Sequence, residues 1–194
     1  MGGFVIPLAG PNAGFPGTVS RNGDELIVNR PLLSTDSVNA QYGGAAILNT
    51  GSSVGGYWSS IPAAVTAGVS NANLLAQLAG IFTRNFKVDV TYPLFGTSGI
   101  NQSSYLPGQL ADVLERGVIT VQLSVYTTAC TAGGQVFIRT VLNGGIPAGV
   151  IGGFETAADG GNTIAVPTSQ WAFKTGFVDP NGRTEIVIKN RISV

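Results

Sequence analysis

From Ile119 to Val125 the chain alternates without a fault: Ile119, Val121, Leu123 and Val125 share one parity, and Thr120, Gln122 and Ser124 the other. Successive side chains of a strand point to opposite faces, so the run predicts one wall of a half-buried antiparallel sheet. A helix would scatter the four apolar residues around its circumference. Gly117 separates this run from Glu115-Arg116 and suits a bulge or a tight strand entry. The stretch 112–126 is therefore the element around which the other strands are placed.

Phe86 to Tyr92 repeats the pattern, with Phe86, Val88, Val90 and Tyr92 inward and Lys87, Asp89 and Thr91 outward. Shorter runs at 135–142, 150–155 and 163–166 follow. Residues 171–178 and 184–190 form a hairpin across Asp179-Pro180-Asn181-Gly182, where proline second and glycine fourth fit a type I turn. Residues 18–30 read as a second hairpin, turning at Asn22-Gly23. Ile47-Leu48 marks a short strand in an otherwise aperiodic region. In 73–82, Leu74, Leu78 and Ile81 have helical spacing behind a candidate Asn73 cap, and Gly80 opposes a long helix. A helical turn running into a strand at Gly80 is expected.

Roughly nine short strands separated by turns, with little helix, predict an all-β chain: an antiparallel β-barrel or sandwich. Residues 1–16 stand apart. Pro7, Pro11 and Pro16 interrupt any helix or strand, yet Phe4, Val5, Ile6, Leu8 and Phe15 are too apolar for a solvated tail. An extended Gly/Pro-rich arm is expected, packed either on its own domain or on a neighbouring subunit. The remainder, 17–194, reads as a single β-rich domain in which 34–75 is a loop-rich insertion.

Composition narrows the function. Ten basic and ten acidic residues among 194 give a net charge of zero, and charged residues are only 10% of the chain, against roughly 25% in ordinary soluble domains. No basic stripe is present to replace the counterions of nucleic acid. A surface without net charge also keeps molecules apart poorly, which suits a protein that lives assembled. No secretory signal opens the chain, and no apolar run reaches the ~20 residues that cross a bilayer. Neither export nor a membrane partner is expected.

Catalytic chemistry finds little support. Gly51-Ser52-Ser53-Val54-Gly55 matches the G-x-S-x-G nucleophile elbow, but the chain has no histidine to take the Ser53 proton and no alternating strand–helix pattern. The acids, among them Asp24-Glu25, Asp112-Glu115 and Asp179-Glu185, sit beside turns or on polar strand faces and read as solvated or ion-paired surface. A single cysteine, Cys130, excludes an intrachain disulfide and a multi-cysteine metal site, and reads as a small filler. Residues 179–185 resemble the start of a calcium loop but place Thr184 where its invariant glycine belongs. No enzyme, cofactor or metal is expected. Tyr57-Trp58 and Trp171 offer rings for stacking on sugars, although core packing or a subunit contact is the commoner role.

From Tyr105 onward the wording itself is informative: YLPGQLADVLERGVITV, AGGQVFIR, IPAGVIGGFETAADGGNTI and DPNGRTEIVI follow in order, with FPGTVSR (15–21) and GIFTRNFKV (80–88) upstream. These blocks closely resemble the structural cement proteins of tailed double-stranded DNA bacteriophages. The resemblance implies an auxiliary capsid protein on the outer surface of the virion, made in the host cytoplasm. Its implied partner is the major capsid protein, whose neighbouring subunits it would bridge. A homo-oligomer is expected, with a trimer at threefold positions matching capsid symmetry. The candidate contact residues are Phe4, Val5, Ile6, Leu8, Phe15, Tyr57 and Trp58. Two rivals remain at this stage: a glycan- or receptor-binding β-module on the virion, and a head–tail or tail-tube structural protein.

Overall fold

A computed structural model describes residues 14–49, 56–84, 104–126 and 129–190. In chain order the strands are β1 (Val19–Pro31), β2 (Ala40–Gln41), β3 (Ala45–Asn49), β4 (Tyr57–Ser60), β5 (Leu78–Phe82) and β6 (Ser104–Tyr105). They continue as β7 (Leu110–Val125), β8 (Val136–Arg139), β9 (Phe154–Glu155), β10 (Thr163–Val166), β11 (Trp171–Phe173) and β12 (Arg183–Ile188). Helices α1 (Ile61–Thr66) and α2 (Asn71–Gln77) lie between β4 and β5. The alternating run 86–92 lies outside the described residues.

β7 is the longest strand, with 16 residues, and organises the fold. On one edge it pairs with β1 and then, in parallel, with β9; on the other it pairs with β5 and β12. The main path runs β10-β8-β9-β7-β5-β3-β4, while β2 and β6 form a separate two-stranded sheet. Because the partners of β7 change along its length, neighbouring strands leave it in different branches. The expected β-rich class is observed, and among the described residues the strands form no closed barrel.

The buried parity of β7 follows the alternation, with Ile119, Val121, Leu123 and Val125 inside and Gln122 exposed. Gly117 does not begin the strand, however; it bends it. Its φ of +132° lies in a region that side-chain-bearing residues rarely adopt. There the ladder with β1 jumps from Leu26↔Arg116 to Arg21↔Val118. This bulge changes which parity faces which side. Leu114 before it and Ile119 after it point into the same core cluster, although they are five positions apart.

The same bulge corrects the hairpin expected in 18–30. Both halves of that segment pair with β7 within one 13-residue strand, β1. The chemistry that suited Asn22-Gly23 to a turn instead falls where β1 loops past Gly117. At the other end of the chain, the 179–182 turn forms as expected, closed by Gly182 N–H donating to Asp179 O at 2.9 Å. It joins β12 to a β11 that is shorter than the patterned run.

Opposite faces of β3, β5 and β7 carry two cores. Ala45, Ile47, Ile81 and Leu114 face one with both helices, β8 and β10 to β12; Ala46, Leu48, Phe82 and Val113 face the other with Leu32, Tyr42, Trp58 and Tyr105. In the second core the Tyr105 hydroxyl donates to Thr83 O at 2.8 Å, and burial pushes its pKa up to about 12. It therefore remains a neutral donor. Helix α1 starts at Ser60, whose Oγ accepts from Ala63 N, with Pro62 in the first turn. Helix α2 is capped by Ser70, not by Asn73, and gives way to β5 at Leu78, two residues before Gly80.

Candidate docking site at the arm root

Thr120 belongs to the outward parity of β7, yet it is fully buried. The first described residues cover it. Gly17 N–H donates to Thr120 O at 2.9 Å and Thr120 N–H to Thr18 O at 3.0 Å. Gly17 O in turn accepts from Arg84 N at 2.8 Å. Gly17 and Arg84, each close to the end of a described segment, thus lie side by side next to β7.

Two guanidinium groups flank the ring of Phe15: Arg84 at 5.3 Å and Arg183 at 5.2 Å from its centroid. Arg183 Nη1 also donates to Gly14 O at 2.8 Å. Phe15 nevertheless keeps 55% of its surface exposed, so the ring is fixed in orientation but open to a partner. Each cation–ring contact at an exposed site contributes about 0.5–1 kcal/mol. Phe15→Ala is accordingly expected to cost about 1 kcal/mol in urea denaturation and to leave the fold intact.

Beside the root lies an apolar groove of about 310 Å³. Tyr42 and Gly43 line one wall and Pro62 with the 148–153 loop the other, and Gln41, Gln122 and Ser124 also border it. Gly43 connects groove and root, since a Cβ built on it would lie 2.8 Å from both Gly17 N and Pro16 Cβ. Val150, on the opposite wall, is 60% exposed.

That second wall is held by a buried ionic cluster. Arg139, with no exposed surface, donates through Nη2 to Glu155 Oε2 at 3.0 Å and through Nη1 to Asp159 Oδ2 at 2.8 Å and Val141 O at 3.1 Å. Its backbone carbonyl accepts from Gly152 N at 2.8 Å, and its N–H donates to Gly153 O at 3.0 Å. Asn143 amide hydrogen bonds, and then the Arg139 guanidinium, hold the Asp159 carboxyl below the usual aspartate range. Hydrogen bonding to Glu155 raises the Arg139 pKa further, so the guanidinium stays charged.

The sequence matches the family described as structural cement protein (E217 gp24/Pam3 gp6) over residues 8–189. The chain belongs to the phage structural cement proteins. A chain in the solved capsid of Myoviridae phage XM1 has a similar fold, at 13% identity and a TM-score of 0.54, with 97% of this chain and 98% of that one covered. No curated protein matches the sequence.

In this cement protein the described sequence candidates, Phe15, Tyr57 and Trp58, do not gather at one place. Phe4, Val5, Ile6 and Leu8 lie outside the described residues, as does Ser53 of the elbow-like motif, and Phe15 stands at the arm root. Tyr57 is half-buried on β4, opposite Asn49. Trp58 is fully enclosed in the second core, with Arg30 over its ring at 5.4 Å, and Trp171 is fully enclosed in the first beside Phe154. Neither indole presents a face for stacking on a sugar. Cys130 is buried, and burial raises its thiol pKa, which suits a filler and opposes a reactive thiolate.

Three acids differ from the expected solvated or ion-paired surface: Glu115, Glu155 and Asp179 are buried. Asp179 Oδ1 accepts from Asn181 N and Arg183 N and so shapes the terminal turn. Among the described residues, no group of three or more histidine, cysteine or acidic side chains is placed to hold a metal, and no helix is long and apolar enough to cross a membrane. Sequence pattern did not reveal the Arg139 cluster, because Arg139 and Glu155 each follow an apolar strand residue where a polar side chain normally faces water.

Proposed function

We propose that this chain binds the outside of an icosahedral phage shell and bridges neighbouring major capsid subunits, with residues 1–16 laid across a neighbour. Membership of the cement family over nearly the whole chain carries this reading. The arm root supports it physically. Backbone hydrogen bonds anchor the chain at Gly17 and Thr18 to the central strand, so force on the arm enters the folded body at its best-connected point. Each copy then needs only modest affinity, because many copies act together on one shell and each site joins subunits that would otherwise part separately. A contact of roughly 1,000–2,000 Å² per copy suffices, and scarce charge limits the cost of burying unpaired ions there.

Gly17 and Thr18 bond to the backbone of β7 and Gly14 O accepts from Arg183, so the informative deletion removes 1–13 alone. That shortened chain is expected to keep its circular dichroism spectrum and to lose co-sedimentation with expanded capsids. Undiminished binding would remove the arm from the mechanism. Counting copies per particle tests the wider reading: hundreds are expected for a shell protein, whereas a head–tail component occupies one vertex.

A further inference from the structure

We propose that Asn143 is a self-modifying site, at which deamidation loosens the 141–153 loop as the protein ages. The reaction needs only water and is independent of capsid binding. The Gly144 backbone nitrogen attacks Cγ of Asn143, a C–N bond forms and a succinimide closes. The side-chain nitrogen departs as ammonia, while the proton released from Gly144 N passes to it through solvent. Water then opens the ring to aspartate or isoaspartate, so the net change is amide plus water to carboxylate plus ammonium. Glycine after asparagine favours the attack, because no Cβ crowds the attacking nitrogen.

Asn-Gly occurs at 22–23, 143–144 and 181–182, and the structure separates the two pairs that stand in turns. At Asn181 the nucleophile is occupied: Gly182 is buried, and its N–H donates to Asp179 O at 2.9 Å. Gly144 is exposed, its N–H donates no hydrogen bond among the described residues, and a Cβ built on it would meet nothing within 4 Å. Asn143 Oδ1 accepts from Gly145 N at 2.9 Å. That contact curls the side chain back over the Gly144 peptide and stabilises negative charge as it develops on the oxygen. Nδ2, the departing atom, donates to Asp159 Oδ1 at 3.1 Å and Oδ2 at 3.0 Å. The product carboxylate removes both donors and sets a second anion against Asp159, and like charges so close oppose each other's ionisation. Asp159 also pairs with Arg139, whose backbone bonds to Gly152 and Gly153 hold the loop. Isoaspartate adds a methylene to the main chain as well, which strains the turn closed by Ile146 N and Asn143 O at 2.9 Å.

Full-length protein aged at mildly alkaline pH tests this, with aspartate and isoaspartate at 143 and 181 counted by peptide mapping in a mass spectrometer. Conversion at Asn143 is expected to be about tenfold faster than at Asn181, where the attacking amide must first give up its hydrogen bond. Gly144→Ala should slow conversion at 143 by about tenfold or more while circular dichroism shows it folded. Hydrogen exchange over 141–153 should quicken in the aged parent and in fresh Asn143→Asp, and stay slow in aged Gly144→Ala. The aged parent carries that readout even where Asn143→Asp does not fold. Conversion at Asn181 as fast as at Asn143 would overturn the proposal. So would an Asn143 that stays intact while a synthetic peptide from Thr140 to Gly149 converts, or conversion that leaves exchange in the loop unchanged.

Discussion

Replacing Gly80 with alanine is expected to lower stability by about 3 kcal/mol or more. Gly80 lies within β5, where the backbone of β7 passes unusually close. A Cβ built there would lie 2.1 Å from Leu114 O, 2.7 Å from Val113 Cγ1 and 2.9 Å from Leu114 C. Two of these three atoms are backbone, and they belong to a strand paired on both edges at this level. Neither sheet partner can retreat without breaking hydrogen bonds, so the strain cannot be relieved by rotating a side chain. For a domain of this size, about 3 kcal/mol shifts Tm by roughly 6–12 °C. Gly144→Ala is the matched control, because a Cβ there meets nothing within 4 Å, and it is expected to stay within about 0.5 kcal/mol. A Gly80→Ala protein melting with its parent would refute the close approach.

Arg139→Met should be comparably severe, for an electrostatic reason. It strands the Glu155 carboxylate, which is only 2% exposed, without its cation, and breaking such a buried pair typically costs about 3–5 kcal/mol. Replacing both partners, as Arg139→Met with Glu155→Leu, is expected to restore much of the loss, because the desolvated charge then disappears. A double variant as unstable as the sum of the two singles would show that the ions do not act as a pair. Asp159 adds a pH dependence. Its folded pKa is depressed, so its contribution is fully present above the ordinary aspartate pKa of about 3.9 and is lost as pH falls through the lower folded value. Asp159→Asn should therefore weaken the fold at neutral pH and flatten the acid limb of the stability profile.

Local rules made much of this fold legible. Alternation from Ile119 to Val125 located the central strand, and Asp179 to Gly182 located the terminal turn, because both are encoded by neighbours in sequence. Gly117 was legible as a special backbone position, but its consequence was not. The bulge lets Leu114 and Ile119 share one core, and that depends on where β1 crosses. The Asn22-Gly23 turn failed for a related reason: turn chemistry permits a reversal, while pairing with β7 decides whether one happens. Helix α1 escaped notice because six residues show no period, although Ser60 and Pro62 carried a readable start signal. At the candidate site, Phe15 was visible as an apolar residue out of place. The groove was not, since its lining comes from five segments spread between Asn39 and Phe154, and no local pattern reports their meeting.

The attachment of the first described residues to β7 has a mechanical consequence. An arm joined to an outer strand would let tension peel the molecule open one hydrogen bond at a time, at little force. Here Gly17 and Thr18 grip Thr120, and Val19 continues directly into the β1–β7 ladder. A pull along that axis loads the rungs side by side, in shear, and spreads through β7 to the strands on its far edge. A tether drawing along β1 would therefore meet the fold in shear, where several hydrogen bonds must break together.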